Sequence, residues 1–129
     1  MNGSTWIRFG AIFGFLGVAL GAFGAHGLKD RLAELGTSAN FETAAQYQMY
    51  HALALLAVGL VGSLGRGSAA LSVAGWSFSL GILVFSGSLY ILSLTGLKWL
   101  GAITPIGGVA LLVGWAALAV AASRSSAIP

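Results

Sequence analysis

This sequence predicts an all-α membrane protein: a four-transmembrane-helix bundle with a short interfacial amphipathic helix between the first two spans. Three observations lead there. Of 129 residues, 57% are hydrophobic and 7% are charged, whereas an ordinary soluble domain carries roughly a quarter charged residues. The charged residues divide the chain into four charge-free runs, Phe9 to Leu28, Thr43 to Gly65, Gly67 to Leu97 and Trp99 to Ser123, of 20, 23, 31 and 25 residues. About 20 apolar residues let a helix cross a hydrocarbon core of roughly 30 Å, and a helix satisfies its own backbone there. Glycines also recur at helical spacing inside these runs, the pattern through which membrane helices approach one another.

Composition removes several function classes. There are no cysteines, so disulfide frameworks, thiolate metal sites and cysteine nucleophiles are excluded. The net charge of +3 comes from basic residues that stand singly or in pairs, unlike the clustered patch that binds nucleic acid. The expected organisation is one integral-membrane domain over residues 1–129, with spans at about 6–27, 43–64, 71–93 and 101–122 and the interfacial helix at about 28–36.

The first run follows Arg8 and contains Ala22-Phe23-Gly24, which resembles a signal cleavage site. Its apolar stretch exceeds the usual signal core of about 7 to 15 residues, so an uncleaved helix is expected. Gly10, Gly14, Gly17, Gly21 and Gly24 form one stripe on that helix, either for packing within the chain or for a homodimer seam. Gly59 and Gly62, then Gly75, Ser79 and Gly81, then Gly107, Gly108 and Gly114 extend the pattern to the other helices.

Residues 29–42 hold five of the nine charged residues, and Leu28, Leu32 and Leu35 recur at helical spacing across their start. This reads as a helix resting its leucines on the acyl boundary and stopped by Gly36. Thr37, Ser38 and Asn40 are the expected caps of the second span, with Glu42 in its first turn. The third run is longer than a span requires, so its ends are expected to be loop. Pro105 suits the first turn of the fourth span, or a kink in it. Arg8, Arg66 and Arg124 lie on the side of the termini and Lys29, Arg31 and Lys98 on the other. That tie leaves the positive-inside rule nearly silent, and the orientation adopted puts both termini in the cytoplasm.

Threading the helices up and down gathers the polar residues in the loop-side leaflet: His26, Glu42, Gln46, Tyr47, Gln48, Tyr50, His51, Ser86, Ser88, Tyr90 and Thr104. Tyrosines belong to the aromatic belt and polar helix ends face headgroup water. His51, however, lies about eight residues into its run, roughly 12 Å along the helix. At that depth an ionisable group faces the bundle and has a partner, here expected on the third or fourth span. All of these residues except Gln48 are the candidate ligand-binding set, and the five glycines of the first span are the candidate packing set. No metal site is assigned, because His26, His51 and Glu42 lack a recognisable ligand spacing. No catalytic residue is assigned either, since Ser86 or Ser88 with His51 lacks an evident orienting group other than Glu42. No span carries an interior carboxylate for proton-driven transport.

Gly21-Ala-Phe-Gly-Ala-His26-Gly-Leu28, Phe41-Glu-Thr-Ala44 with Tyr47-Gln48 and His51-Ala-Leu-Ala-Leu-Leu56, Phe85-Ser-Gly-Ser-Leu-Tyr90, and Leu100-Gly-Ala-Ile-Thr-Pro-Ile-Gly-Gly108 with Gly114-Trp115 stand in this order. Together they resemble the small membrane proteins grouped as domain of unknown function 423, also uncharacterised protein family 0382, over nearly the whole chain. The resemblance implies a multi-pass protein of the bacterial inner or plasma membrane, with eukaryotic relatives and no assigned activity. It places signature residues at His26, Tyr47, Gln48, His51, Ser86, Ser88, Tyr90, Thr104 and Pro105. The reading favoured is a non-enzymatic structural or accessory component of a membrane assembly, with the lipid bilayer and a homo-oligomer or larger complex as partners. The alternative is a small-molecule binder that holds a quinone, a lipid headgroup or haem in the polar leaflet.

Overall fold

The computed structural model describes residues 2–125. It contains five α-helices, α1 (Gly3–Ala25), α2 (Lys29–Leu35), α3 (Ser38–Ser63), α4 (Ala69–Thr95) and α5 (Thr104–Ser125), with a 3₁₀ turn at Lys98–Ala102 before α5. No strand occurs among the described residues.

Local chemistry explains the boundaries. Asn2 caps α1 by accepting from the Thr5 amide, and Ser68 caps α4 by accepting from the Leu71 amide at 3.1 Å. Gly36 and Gly96 close α2 and α4 in the left-handed region, with φ of 67° and 75°, where a side chain would be strained. Pro105 sits in the first turn of α5, where its missing N–H costs no helical bond, so no kink is needed. Two sequence expectations are corrected at the start of α3. The helix begins at Ser38, ahead of the charge-free run, and so leaves Glu42 beyond its first turn. Thr37 occupies the cap position without capping; its hydroxyl donates instead to the Ser93 carbonyl of α4 at 2.7 Å. One leucine of α2 also differs from expectation, because Leu32 is buried in the protein and not laid on an acyl boundary.

The long helices pack in chain order: α1 on α3, α3 on α4, and α4 on α5, while α2 touches α1, α3 and α4. Close approach of α1 to α3 depends on glycine. Gly3, Gly10, Gly17 and Gly24 are the buried glycines of α1, at the seven-residue interval that keeps one seam against a neighbouring helix. A β-carbon at Gly10 would stand 2.8 Å from the Ala52 carbonyl oxygen, and one at Gly24 would enter the Phe41 ring. Gly14 points elsewhere, with nothing within 4 Å, and Gly21 has open space up to the Ala45 β-carbon at 3.9 Å. The core holds Trp6, Leu55, Val58, Phe78, Ile82 and Leu111, and Trp6 meets Trp76 edge-on at 5.4 Å.

Outer faces are apolar, with Phe15, Leu53, Leu83, Ile106 and Leu112 all exposed, while several polar side chains are inside. That inversion suits a lipid solvent. Three stretches are long and apolar enough to cross a membrane: Gly3–Ala25, Ala69–Thr95 and Lys98–Arg124. The other long helix, α3, has the length but carries Asn40, Glu42, Gln46, Gln48 and His51, and falls short in apolarity.

Candidate functional site

The polar residues of α3 lie at the centre of the site because α3 has α1 on one side and α4 on the other. Gln48 is 3% exposed and joins both neighbours. Its Nε2 donates to the Phe13 carbonyl of α1 at 2.9 Å, and its Oε1 accepts from the Tyr90 hydroxyl of α4 at 2.6 Å. The Phe13 carbonyl can only accept, so it fixes which way the amide points. Ser86 donates to the Ala44 carbonyl at 2.8 Å, one further link between α4 and α3. Together with the Thr37–Ser93 bond, this sets the antiparallel register of the two helices.

His51, 5% exposed, is held through both ring nitrogens. Nδ1 lies 2.6 Å from the Tyr47 carbonyl, and Nε2 accepts from the Trp115 indole N–H of α5 at 3.0 Å. An indole N–H only donates and a carbonyl only accepts. The imidazole is therefore the neutral Nδ1–H tautomer, and its one lone pair is spent on Trp115. Phe78 and Trp115 flank the ring, at centroid distances of 5.7 and 5.8 Å.

A third tie joins α4 to α5. Ser88 and Thr104 hydroxyls are 2.7 Å apart, with the Phe85 carbonyl 3.0 Å from Ser88 and the Leu100 carbonyl 3.3 Å from Thr104. Two hydroxyl protons cannot fill all three links. The shortest pair is used when Thr104 donates to Ser88 and Ser88 donates to Phe85. Among the described residues no buried side-chain nitrogen or oxygen lacks a partner, as expected of a well-folded interior.

Of the candidate set, the structure brings His51, Ser86, Ser88, Tyr90 and Thr104 into these ties, along with Gln48. Tyr47 is exposed and stacks on Phe85 at 4.7 Å. Tyr50 is exposed and shares a groove of about 600 Å³ between α3 and α5 with Tyr47, His51, Phe85 and Trp115. His26 lies apart, exposed at the C-cap of α1. Glu42 and Gln46 line a different cavity, beside α2. Among the described residues no group of three His, Cys, Asp or Glu is placed to hold a metal ion. Trp115 and the Phe13 carbonyl were not foreseen as site groups. A backbone carbonyl leaves no trace in sequence, and Trp115 lies on the helix furthest along the chain from His51.

The family model described as a protein of unknown function, DUF423, matches residues 20–108. The chain belongs to this family. Curated relatives of the same group are named UPF0382 membrane proteins. One from Staphylococcus epidermidis is 49% identical over 117 residues, covering 91% of this chain and 93% of its own. YwdK of Bacillus subtilis is 47% identical over 120 residues, covering 93% and 97%. A relative from Staphylococcus saprophyticus is 48% identical over 116 residues, covering 90% and 94%. No solved structure matches the chain. The DUF423 match includes Gln48, His51, Ser86, Ser88, Tyr90 and Thr104, so most of the inter-helix ties fall inside the family's own segment.

Proposed function

We propose that this DUF423 protein is a four-span protein of the bacterial inner membrane, with both termini cytoplasmic, that serves as a non-enzymatic structural or accessory component of a membrane assembly. The observation that carries this reading is the engagement of the buried polar side chains. Among the described residues every buried side-chain nitrogen and oxygen has a partner within the chain, which is how polar residues hold membrane helices together. A reacting centre needs the opposite, a base or nucleophile with a free lone pair turned to a cavity. The His51 lone pair is already occupied.

The same ties support α3 as the fourth span. Its Gln48 and His51 are turned onto α1, α4 and α5, so its two deepest polar side chains are satisfied inside the protein while Leu53 and Leu60 face outward. Its 26 residues reach roughly 39 Å at 1.5 Å per residue, enough to cross. Because the chain has no cysteine, single cysteines at Asn40 and Gly67 report topology directly. Impermeant maleimide should label Asn40→Cys only from the outer face and Gly67→Cys only from the cytoplasmic face. Labelling of both from one face removes the fourth span.

The accessory role is tested by native mass spectrometry of protein released gently from its own membranes, recorded with the optical spectrum. A defined assembly that His51→Ala weakens, with no small molecule lost, supports the reading. One observation favours a second reading, small-molecule binding. The groove between α3 and α5 is walled by Tyr47, Tyr50 and Trp115, has the size of a ligand cleft and suits a flat ring such as a quinone. A stoichiometric extra mass that His51→Ala removes from an intact protein selects that reading instead.

A further inference from the structure

Glu42 and Gln46 are left over by the network of ties, and the structure places them together in one cavity. It has a volume of about 440 Å³ and lies where the end of α1, the short α2 and the start of α3 meet. Its polar lining comes from Lys29 of α2 and from Ser38, Glu42 and Gln46 of α3, and the rest of the lining, its floor, is apolar and includes Gly21 of α1 and Ala45 of α3. Neither Lys29 nor Glu42 has a side-chain hydrogen bond or ion pair among the described residues. One unengaged cation and one unengaged anion thus face the same space above an apolar surface.

We propose that this cavity binds the headgroup of a zwitterionic phospholipid with a primary ammonium, of the phosphatidylethanolamine class. Lys29 takes the phosphate, Glu42 and the Gln46 carbonyl accept from the ammonium, and the glycerol end of the chains lies on the floor at Gly21 and Ala45. Charge complementarity selects this occupant. The paired charges sum to zero, so an anionic headgroup gains at Lys29 what it loses at Glu42, whereas a zwitterion gains at both. A quaternary ammonium has no N–H to give these acceptors and is recognised by cages of several aromatic rings; Phe41 is the one ring lining the cavity. The volume admits a headgroup and not a whole lipid, so the chains continue into the bilayer. The depth of the cavity at the membrane surface rests on the four-span reading, which cysteine labelling tests separately.

The experiment is native mass spectrometry of the purified full chain in detergent, titrated with phosphatidylethanolamine, phosphatidylcholine and phosphatidylglycerol of matched chains, and with water-soluble glycerophosphoethanolamine. The wild type should retain phosphatidylethanolamine about five- to tenfold over the other two lipids, the size expected for one hydrogen bond at a solvent-exposed site. Glu42→Gln should abolish that preference, and Glu42→Lys should turn it toward phosphatidylglycerol. Lys29→Gln should weaken all three phospholipids. Gly21→Leu, entering the open space at the floor, should do the same with an unchanged thermal transition. Equal retention of the three lipids by the wild type overturns the proposal. So does a Glu42→Gln variant that folds and keeps the preference. Binding of glycerophosphoethanolamine as strong as that of the lipid overturns the lipid assignment in favour of a soluble zwitterion.

Discussion

Replacing Gln48 with leucine keeps much of the side-chain volume and removes both polar links of α3 at that level. The bonds lost are those to the Phe13 carbonyl at 2.9 Å and from the Tyr90 hydroxyl at 2.6 Å. Inter-helix hydrogen bonds in membranes average about 0.6 kcal/mol and reach about 1.7, and an orphaned hydroxyl costs about 1–3 kcal/mol. Gln48→Leu should therefore destabilise by about 2–3 kcal/mol, and Tyr90→Phe, which loses one bond and orphans one oxygen, by about 1–2 kcal/mol. The bond between the two side chains is lost only once. The double variant also leaves neither group orphaned, so it should cost about 2–3 kcal/mol less than the sum of the single variants. Reversible unfolding in mixed micelles, read by circular dichroism on all four members of the cycle, measures this. Additivity within about 0.3 kcal/mol, or a Gln48→Leu cost below about 0.5 kcal/mol, would show that the bridge is not what holds α1, α3 and α4 together.

The glycines of α1 should separate sharply by position. Gly24→Val drives its β-carbon into the Phe41 ring and should cost more than about 2 kcal/mol, whereas Gly14→Ala, with nothing within 4 Å, should be neutral or stabilise by up to about 1 kcal/mol. Thermal denaturation of both in one detergent compares them, and equal losses would mean that α1 packs through another face. Nitrogen NMR of selectively labelled histidine should show His51 as the Nδ1–H tautomer, and Trp115→Phe should shift its Nε2 signal while destabilising by about 1–2 kcal/mol. A proton found on Nε2 would refute the Trp115 link. Ser88→Ala and Thr104→Val should each cost about 0.5–1.5 kcal/mol and together little more than either alone, because they share one short bond. Unfolding data that add fully would place the two hydroxyls in separate interactions.

Much of the helical layout was legible because its causes are local. Charge-free runs mark apolar helices, Gly36 marks the end of α2 through its positive φ, and Pro105 marks a first turn. At the start of α3 the role of Thr37 has a tertiary cause. Thr37 has the chemistry of a cap, but its hydroxyl is turned onto the buried Ser93 carbonyl of α4, 56 residues away in sequence. Leu32 was misplaced likewise, since its spacing indicates an apolar face without saying whether lipid or protein covers it.

The sequence by itself determined that the chain is helical, apolar on its surfaces and polar at selected depths, because hydropathy and backbone satisfaction act along a single helix. It also indicated that glycines would carry the packing of α1. Only the tertiary structure decided which glycines do so, sorting Gly10, Gly17 and Gly24 onto α3 and leaving Gly14 outside. It likewise divided one apparent polar cluster in two, a set of inter-helix ties through Gln48, His51 and Trp115, and a separate cavity at Lys29 and Glu42. Periodicity gives a residue's angle about its own helix. Which neighbour stands at that angle depends on the packing of all the helices at once.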